Sequence, residues 1–292
     1  MIPPLVSFVA WNRLGLTARN LKALLDTTDD FELHLVDNNS QDGTWEYLQD
    51  MKDSRIKSKT RFEVNRGPIY AANYNLAKRK DSQYFITVDS DVNIHTSGWA
   101  SRFLEAFNQF PEIGLLGAVS QEYYNRYRQP IIKKEKNNVC YLQVFRGFVE
   151  GCCQCLRPEL LERIGYWNEE NCMGDVEICF RICSGTSYKI GFLPVVEIDQ
   201  TQFVPCNKCD ATSFCNHISK GKSCFSLREE KYRNPQFRNK YGWKYQQYVK
   251  EINEGGRTVY CASVHDGKSM EKHYYNRHLS EENFKYYIDN AN

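Results

Sequence analysis

The chain has 292 residues, enough for one principal domain with a smaller appendage, and 38 Lys and Arg set against 36 Asp and Glu leave a net charge of +2. Such a balance gives no bulk electrostatic reason to expect a nucleic-acid partner, so any charged ligand must be met locally. The opening MIPPLVSFVAWNRLGL has no basic leader, its apolar run breaks at Asn12 and Arg13, and no later stretch reaches spanning length. A cytoplasmic protein is expected, at most peripheral at a membrane, with its 12 cysteines reduced or bound to metal.

In chain order, LVSFVA (residues 5–10) predicts a strand, and Thr17 is placed to cap a helix carrying Leu21, Leu24 and Leu25. ELHLVD predicts a second strand ending at Asp37. Asn38, Ser40 and Asp42 then read as turn formers ahead of a helical face bearing Trp45, Leu48 and Met51. RFEV (61–64) predicts a third strand, Asn65-Arg66-Gly67 a turn, and Pro68 the first position of a helix with Ile69, Ala72 and Leu76 on one stripe. YFITVDSDV begins as a buried strand of aromatic and β-branched residues and ends in Asp89 and Asp91. Alternation of this kind marks βαβ units with a parallel sheet.

Beyond it come a helix bearing Trp99, Phe103, Phe107 and Phe110, a strand at IGLLGAV, and a polar, tyrosine-rich excursion from Gln121 to Asn138 expected to be a mobile loop. CYLQVFRGFVEG predicts strand, Pro158 opens a helix, MGDVEICFRI is helical, and YKIGFLPVVEID is a strand. Cys152, Cys153 and Cys155 alternate along a strand and are expected as small buried hydrophobes. Residues 203–292 form a Cys-rich and helical extension. In it Cys206 and Cys209 make a C-x-x-C, and with Cys215, His217 and Cys224 they are candidates for a structural Zn²⁺ site, the alternatives being thiols or disulfides in a loop. The basic, aromatic run from Phe225 to Lys250 reads as an amphipathic helix with solvated lysines; an anionic acceptor or a membrane face is the other use of such a surface. Ser280 is expected to cap a final helix docking through Phe284, Tyr287 and Ile288.

The acid pair organises the functional expectations. Ligands of open α/β sheets sit beyond the carboxyl ends of the strands, where Asp89 and Asp91 fall. Two carboxylates at alternate positions can hold a hard divalent cation, which offsets the charge of a diphosphate.

Together with VSFVAWNR, VDNNSQDGT, NRGPIYAANYNLA and GCCQCLRPELLERIGYWNEENCMGDVEICFRI, in that order over roughly residues 4–200, the segment YFITVDSDV resembles the family-2 type of GT-A nucleotide-sugar glycosyltransferases. The resemblance implies an α/β fold with a mostly parallel sheet flanked by helices over residues 1–202, its nucleotide-sugar half at about 1–100 and its acceptor half at about 101–202. It implies that Asp91 ligates Mn²⁺ or Mg²⁺, that Asp89 contacts ribose or metal-bound water beside Ser90, and that Asp37 bonds the nucleotide base, which suggests a uridine donor. Ala10, Asn12, Arg13, Asn65 and Arg66 fall on its nucleotide-sugar-binding segments. Asp175 matches the general base that activates an acceptor hydroxyl for inverting transfer, with Glu177 second; an N-cap is the other use of an aspartate here.

Two departures from the family pattern stand out. Gly174 precedes Asp175 where Glu is usual, and the family's metal-binding histidine is represented by Asp199, by the more distant His217, or not at all. The acceptor class spans a glycan, a lipid-linked saccharide or a protein side chain. Rival functions are a sugar-phosphate nucleotidyltransferase, for which AWNRLGLTARN is a poor phosphate loop, and a catalytically silent binding protein of the same fold.

Overall fold

The computed structural model describes residues 2–121, 125, 129–201, 203–209, 212–215 and 221–290. Strands β1 (Leu5–Ala10), β2 (Glu32–Asp37), β3 (Ile56–Arg61) and β4 (Phe85–Asp89) alternate with helices α1 (Leu14–Leu25), α2 (Thr44–Asp50) and α3 (Pro68–Leu76). There follow β5 (Val92–Ile94), α4 (Trp99–Gln109), β6 (Ile113–Val119), β7 (Ile131–Lys136), β8 (Val139–Val144), β9 (Cys153–Leu156), α5 (Pro158–Ile164), α6 (Gly174–Gly185) and β10 (Lys189–Gln200). The extension contributes α7 (Cys224–Arg233), α8 (Pro235–Asn253), α9 (Gly267–Lys272) and α10 (Arg277–Asp289).

One sheet runs in the order β3-β2-β1-β4-β9-β6-β10-β8-β7, with β5 paired to the end of β10. Strands β3, β2, β1 and β4 are mutually parallel, β9 is antiparallel to both its neighbours, and β6 runs parallel to β10. The order reverses between β1 and β4, which makes the crevice beyond their carboxyl ends the topological switch point. Period-two alternation sorts the side chains to two cores. Val6, Phe8, Ile86 and Val88 meet α1 and α4 on one face, while Leu5 and Phe85 meet α3, α5 and α6 on the other. Trp99, Phe103 and Phe107 of α4 are at most 1% exposed, and each such side chain contributes about 1.5–3 kcal/mol on burial.

The structure departs from the predicted elements where local signals compete. The third strand lies at Ile56–Arg61, before the expected RFEV, because an edge strand with its side chains half in water needs no hydrophobic run. The α1 helix starts ahead of Thr17, and its Leu14 N–H is capped by Asp42 Oδ2 at 2.8 Å from 28 residues away. Much of the expected loop from Gln121 to Asn138 is instead a hairpin: Asn137 and Asn138, at φ 50° and 62°, turn β7 back onto β8. Residues 122–124 and 126–128 of that stretch lie outside the described residues. The single helix expected between Phe225 and Lys250 is two, because Asn234 leads into Pro235 and cannot remain helical. The last helix is capped by Asn276, not Ser280, which is buried within it.

The expected boundary falls at residue 202, outside the described residues, and the extension beyond it is bound closely to the sheet domain. Glu169 accepts hydrogen bonds from Ser263 Oγ at 2.6 Å, Val264 N–H at 3.1 Å and Tyr275 Oη at 2.8 Å. Glu170 pairs with Arg257 through both guanidinium nitrogens, at 2.5 and 2.8 Å. Among the described residues no helix is long and apolar enough to cross a membrane, and all 12 cysteines are thiols, with Cys152, Cys153 and Cys155 buried.

Candidate active site

A cleft of about 270 Å³ opens at the switch point. Its floor is Ser7 and Val9 of β1 with Thr87 and Val88 of β4; Asp89 and Asp91 stand at its strand end, and Asp175 enters from the first turn of α6. Thus three acids separated by up to 86 positions share one cavity, as their strand-end and helix-start positions predict. A fourth acid, Glu150, lines the same space from the loop before β9.

The acids press on one another. Burial, then the like charges of Asp91 and Asp175, push the Asp89 carboxyl well above the ordinary carboxylate range. Burial raises Asp175 to about 6, against hydrogen bonds from the Val176 N–H at 2.9 Å and the Gly151 N–H at 3.3 Å that favour its ionised form. Burial raises Glu150 to about 8 although it accepts a 2.6 Å hydrogen bond from Gln200 Nε2. Crowded carboxylates in a partly desolvated cleft favour a bound cation, and an all-oxygen donor set at Asp89 and Asp91 fits Mn²⁺ or Mg²⁺. No group of three or more His, Cys, Asp or Glu among the described residues is arranged to hold a metal.

The other predicted residues lie around this cleft and do not line it. Arg13, at φ 61°, brings its guanidinium to 3.5 Å from Asp91. Asn12 holds the β1–β2 loops together, donating its N–H to Ser40 Oγ at 2.7 Å and accepting the Gln41 N–H at 2.9 Å. Ala10 is core, its carbonyl bonded by the Asn38 N–H. Asp37 ends β2 fully buried, 3.5 Å from Arg61 Nε, and its Oδ1 has no hydrogen-bond partner. Asn65 Oδ1 accepts the Gly67 N–H at 2.8 Å; the Arg66 N–H donates to Asn38 Oδ1 at 3.2 Å and its guanidinium lies 5.2 Å from the Tyr70 ring centre. The Ser90 carbonyl is bonded by Asn20 Nδ2 at 2.7 Å.

Two candidates are placed away from the chemistry. Glu177 is 0% exposed and clamped to Arg181 at 2.5 and 3.0 Å, so α6 turns it into the core four residues ahead of its partner and leaves no face for a substrate. Asp199 sits 43% exposed on β10, 2.7 Å from His95 Nε2, and does not join the acid pair. Cys206, Cys209, Cys215 and Cys224 form no metal-binding group, and His217 lies outside the described residues. Trp167 is buried against Phe85, with ring centres 5.9 Å apart, and borders the cleft. Of the other lining residues, Glu150 went unread in the sequence, Tyr287 was read as a docking residue, and Arg228 and Lys231 as part of a basic run whose second use was to meet an anionic acceptor or a membrane face. The faintest signal was for Arg228 and Lys231, which lie in a basic run that ordinarily reads as solvated surface.

The doubly covered sheet, its switch-point cleft and the acids at the strand ends define a GT-A type α/β protein. Residues 6–165, more than half of the chain, match the model of the family described as Glycosyl transferase family 2, and the chain belongs to that family. It is a glycosyltransferase. Among solved structures, the mannosyltransferase PcManGT from Pyrobaculum calidifontis, in complex with GDP-Man and Mn²⁺, is similar over 100% of this chain and 86% of its own, with a TM-score of 0.54 at 16% identity. GalNAc-T7 with UDP, GalNAc and Mn²⁺ is similar over 68% of this chain and 43% of its own, with a TM-score of 0.50 at 15% identity. At these identities the likeness is one of fold.

Proposed function

We propose that the protein transfers a sugar from a nucleoside diphosphate donor to an acceptor hydroxyl with inversion, and that the nucleoside is uridine. The observation that carries this is the convergence of Asp89, Asp91 and Asp175 on one cleft at the switch point. Asp91, aided by Asp89, would hold a hard divalent cation, whose chemistry when bound is to offset the charge developing on the departing diphosphate. Mn²⁺ in the PcManGT and GalNAc-T7 structures supports a metal of this kind.

Asp175 takes the proton of the attacking hydroxyl. It lines the same cleft as the strand-end pair, and its first-turn backbone bonds orient the carboxylate. Glu177 has no part in the chemistry. The uridine assignment follows the family position of Asp37, which is fully buried here and would accept a uracil N–H only once the residues covering it move. Asn65 and Arg66 keep the adjoining turn in place, and Arg13 positions Asp91. The division into a donor half before about residue 100 and an acceptor half after it follows the placement of Asp89 and Asp175.

Calorimetric titration of UDP, GDP, dTDP and CDP, with and without Mn²⁺, on the native chain and on Asp91→Asn tests this. Metal-dependent binding of UDP, lost in the variant, is the expected result. Binding of GDP in its place would overturn the uridine assignment and keep the mechanism, whereas binding of none would overturn the donor site.

A further inference from the structure

Part of the cleft wall comes from α7, a helix of the extension. A capping box between Ser223 and Ser226 starts it and the Asn234-Pro235 step ends it, so its rotation about its own axis is fixed at both ends. Arg228 and Lys231, three residues apart, fall on one face, and both line the cleft together with Asp89, Asp91, Glu150 and Asp175.

Both cations lie beside aromatic rings. The Arg228 guanidinium lies 5.2 Å from the Phe203 ring centre and 3.4 Å from a Glu229 oxygen, and its field reaches Glu150 and Asp175. The Lys231 ammonium lies 5.0 Å from the Tyr287 ring and 5.5 Å from the Phe237 ring, in a setting where burial lowers its pKa. Tyr287 in turn abuts Gly67, the residue that opens α3 on the nucleotide side, so Lys231 is anchored to the donor end of the cleft. A partly desolvated ammonium that borders the cleft gains more from an anion there than a solvated surface lysine does.

We propose that Arg228 and Lys231 bind the diphosphate of the donor and hold it as it leaves, which makes the extension part of the catalytic site. This rests on the donor-site assignment made above. In the transfer, the bond between the anomeric carbon and the β-phosphate oxygen breaks with its electron pair going to that oxygen. The acceptor oxygen forms the new bond to the anomeric carbon, and its proton passes to Asp175. The negative charge gained by the β-phosphate arises on the side of the cleft that these two side chains face.

The test is calorimetric affinity for UDP and UMP, and for GDP and GMP, at saturating Mn²⁺, on the native chain, Arg228→Met, Lys231→Met and the control Lys222→Gln, which alters an exposed lysine of the same segment. Methionine retains an unbranched stem against Phe203 or Tyr287. The expected result is a loss of about tenfold or more in diphosphate affinity in each methionine variant, a smaller loss for the monophosphate, and no change in the control. A variant that is merely less stable lowers both affinities together, so the ratio of diphosphate to monophosphate affinity is the deciding number. Should a methionine variant fail to fold, Arg228→Lys and Lys231→Arg replace it. A change in that ratio supports the assignment, and an unchanged ratio overturns it. A native chain that binds neither UDP nor GDP would overturn the donor site and this assignment with it, whereas native binding with unaltered variants overturns this assignment alone.

Discussion

Asp175 and Glu177 are two residues apart on α6 and have opposite fates. One faces the cleft with burial holding it near pH 6; the other is sealed against Arg181, which also donates to the carbonyls of Ile164, Tyr166 and Val259. If Asp175 is the base, it must be ionised to act, so kcat/KM should be full above about pH 6 and fall as pH drops through that value. Asp175→Asn should lower kcat by roughly 10²–10⁴-fold with nucleotide affinity retained. A pH profile with steady-state kinetics checks both. Glu177→Gln should act on stability instead, because it strands the Arg181 charge in the core; a loss of about 3–5 kcal/mol is expected in denaturant unfolding. The Glu-x-x-x-Arg spacing was visible in the sequence, and an i, i+4 ion pair was as natural a use of it as catalysis. What periodicity could not supply was which of the two acids faces the cleft, because both lie in the first turn of α6.

At the scale of elements, legibility followed burial. The strand near IGLLGAV was legible because both its faces are covered, whereas β3 was misplaced because an edge strand reads as polar. The β7–β8 hairpin hid behind an Asn-Asn step whose capacity for positive φ is its only local mark. Helix starts failed where the cap came from afar, as Asp42 does for Leu14. The contact between α10 and α3 lay equally out of reach of local signals. There Gly67 adopts φ 92°, and a Cβ at this position would come within 2.5 Å of the Tyr287 ring. Gly67→Ala should therefore lower the melting temperature and weaken nucleotide binding together. Adding Tyr287→Ala should recover only part of the loss, since it removes the clash and leaves the backbone strain. Thermal melts and titrations of the single and double variants check this.

For the molecule as a whole, residues 203–290 are better described as a wrap around the sheet domain than as an appendage. Glu169 and Glu170, adjacent and buried, receive five groups from it: Ser263, Val264, Tyr275, Arg257 and Asn276. Removal of either carboxylate leaves several buried donors unpaired. Calorimetric unfolding should accordingly show one cooperative transition, and two separated transitions would contradict it. The acids of the cleft were legible because strand ends and helix starts have sequence signatures. The basic residues facing them were not, because their meaning depends on where a distant helix comes to rest.

The buried cysteines carry a consequence for how the native state can be watched. Burial raises the thiols of Cys152, Cys153, Cys155 and Cys179 and keeps them un-ionised, while Cys183 lies exposed at the outer end of α6. An alkylating reagent should therefore mark Cys183 within its ordinary reaction time and reach the sheet thiols only when the central strands come apart. The chain thus carries an internal clock, read by mass, for the rarest and largest of its fluctuations.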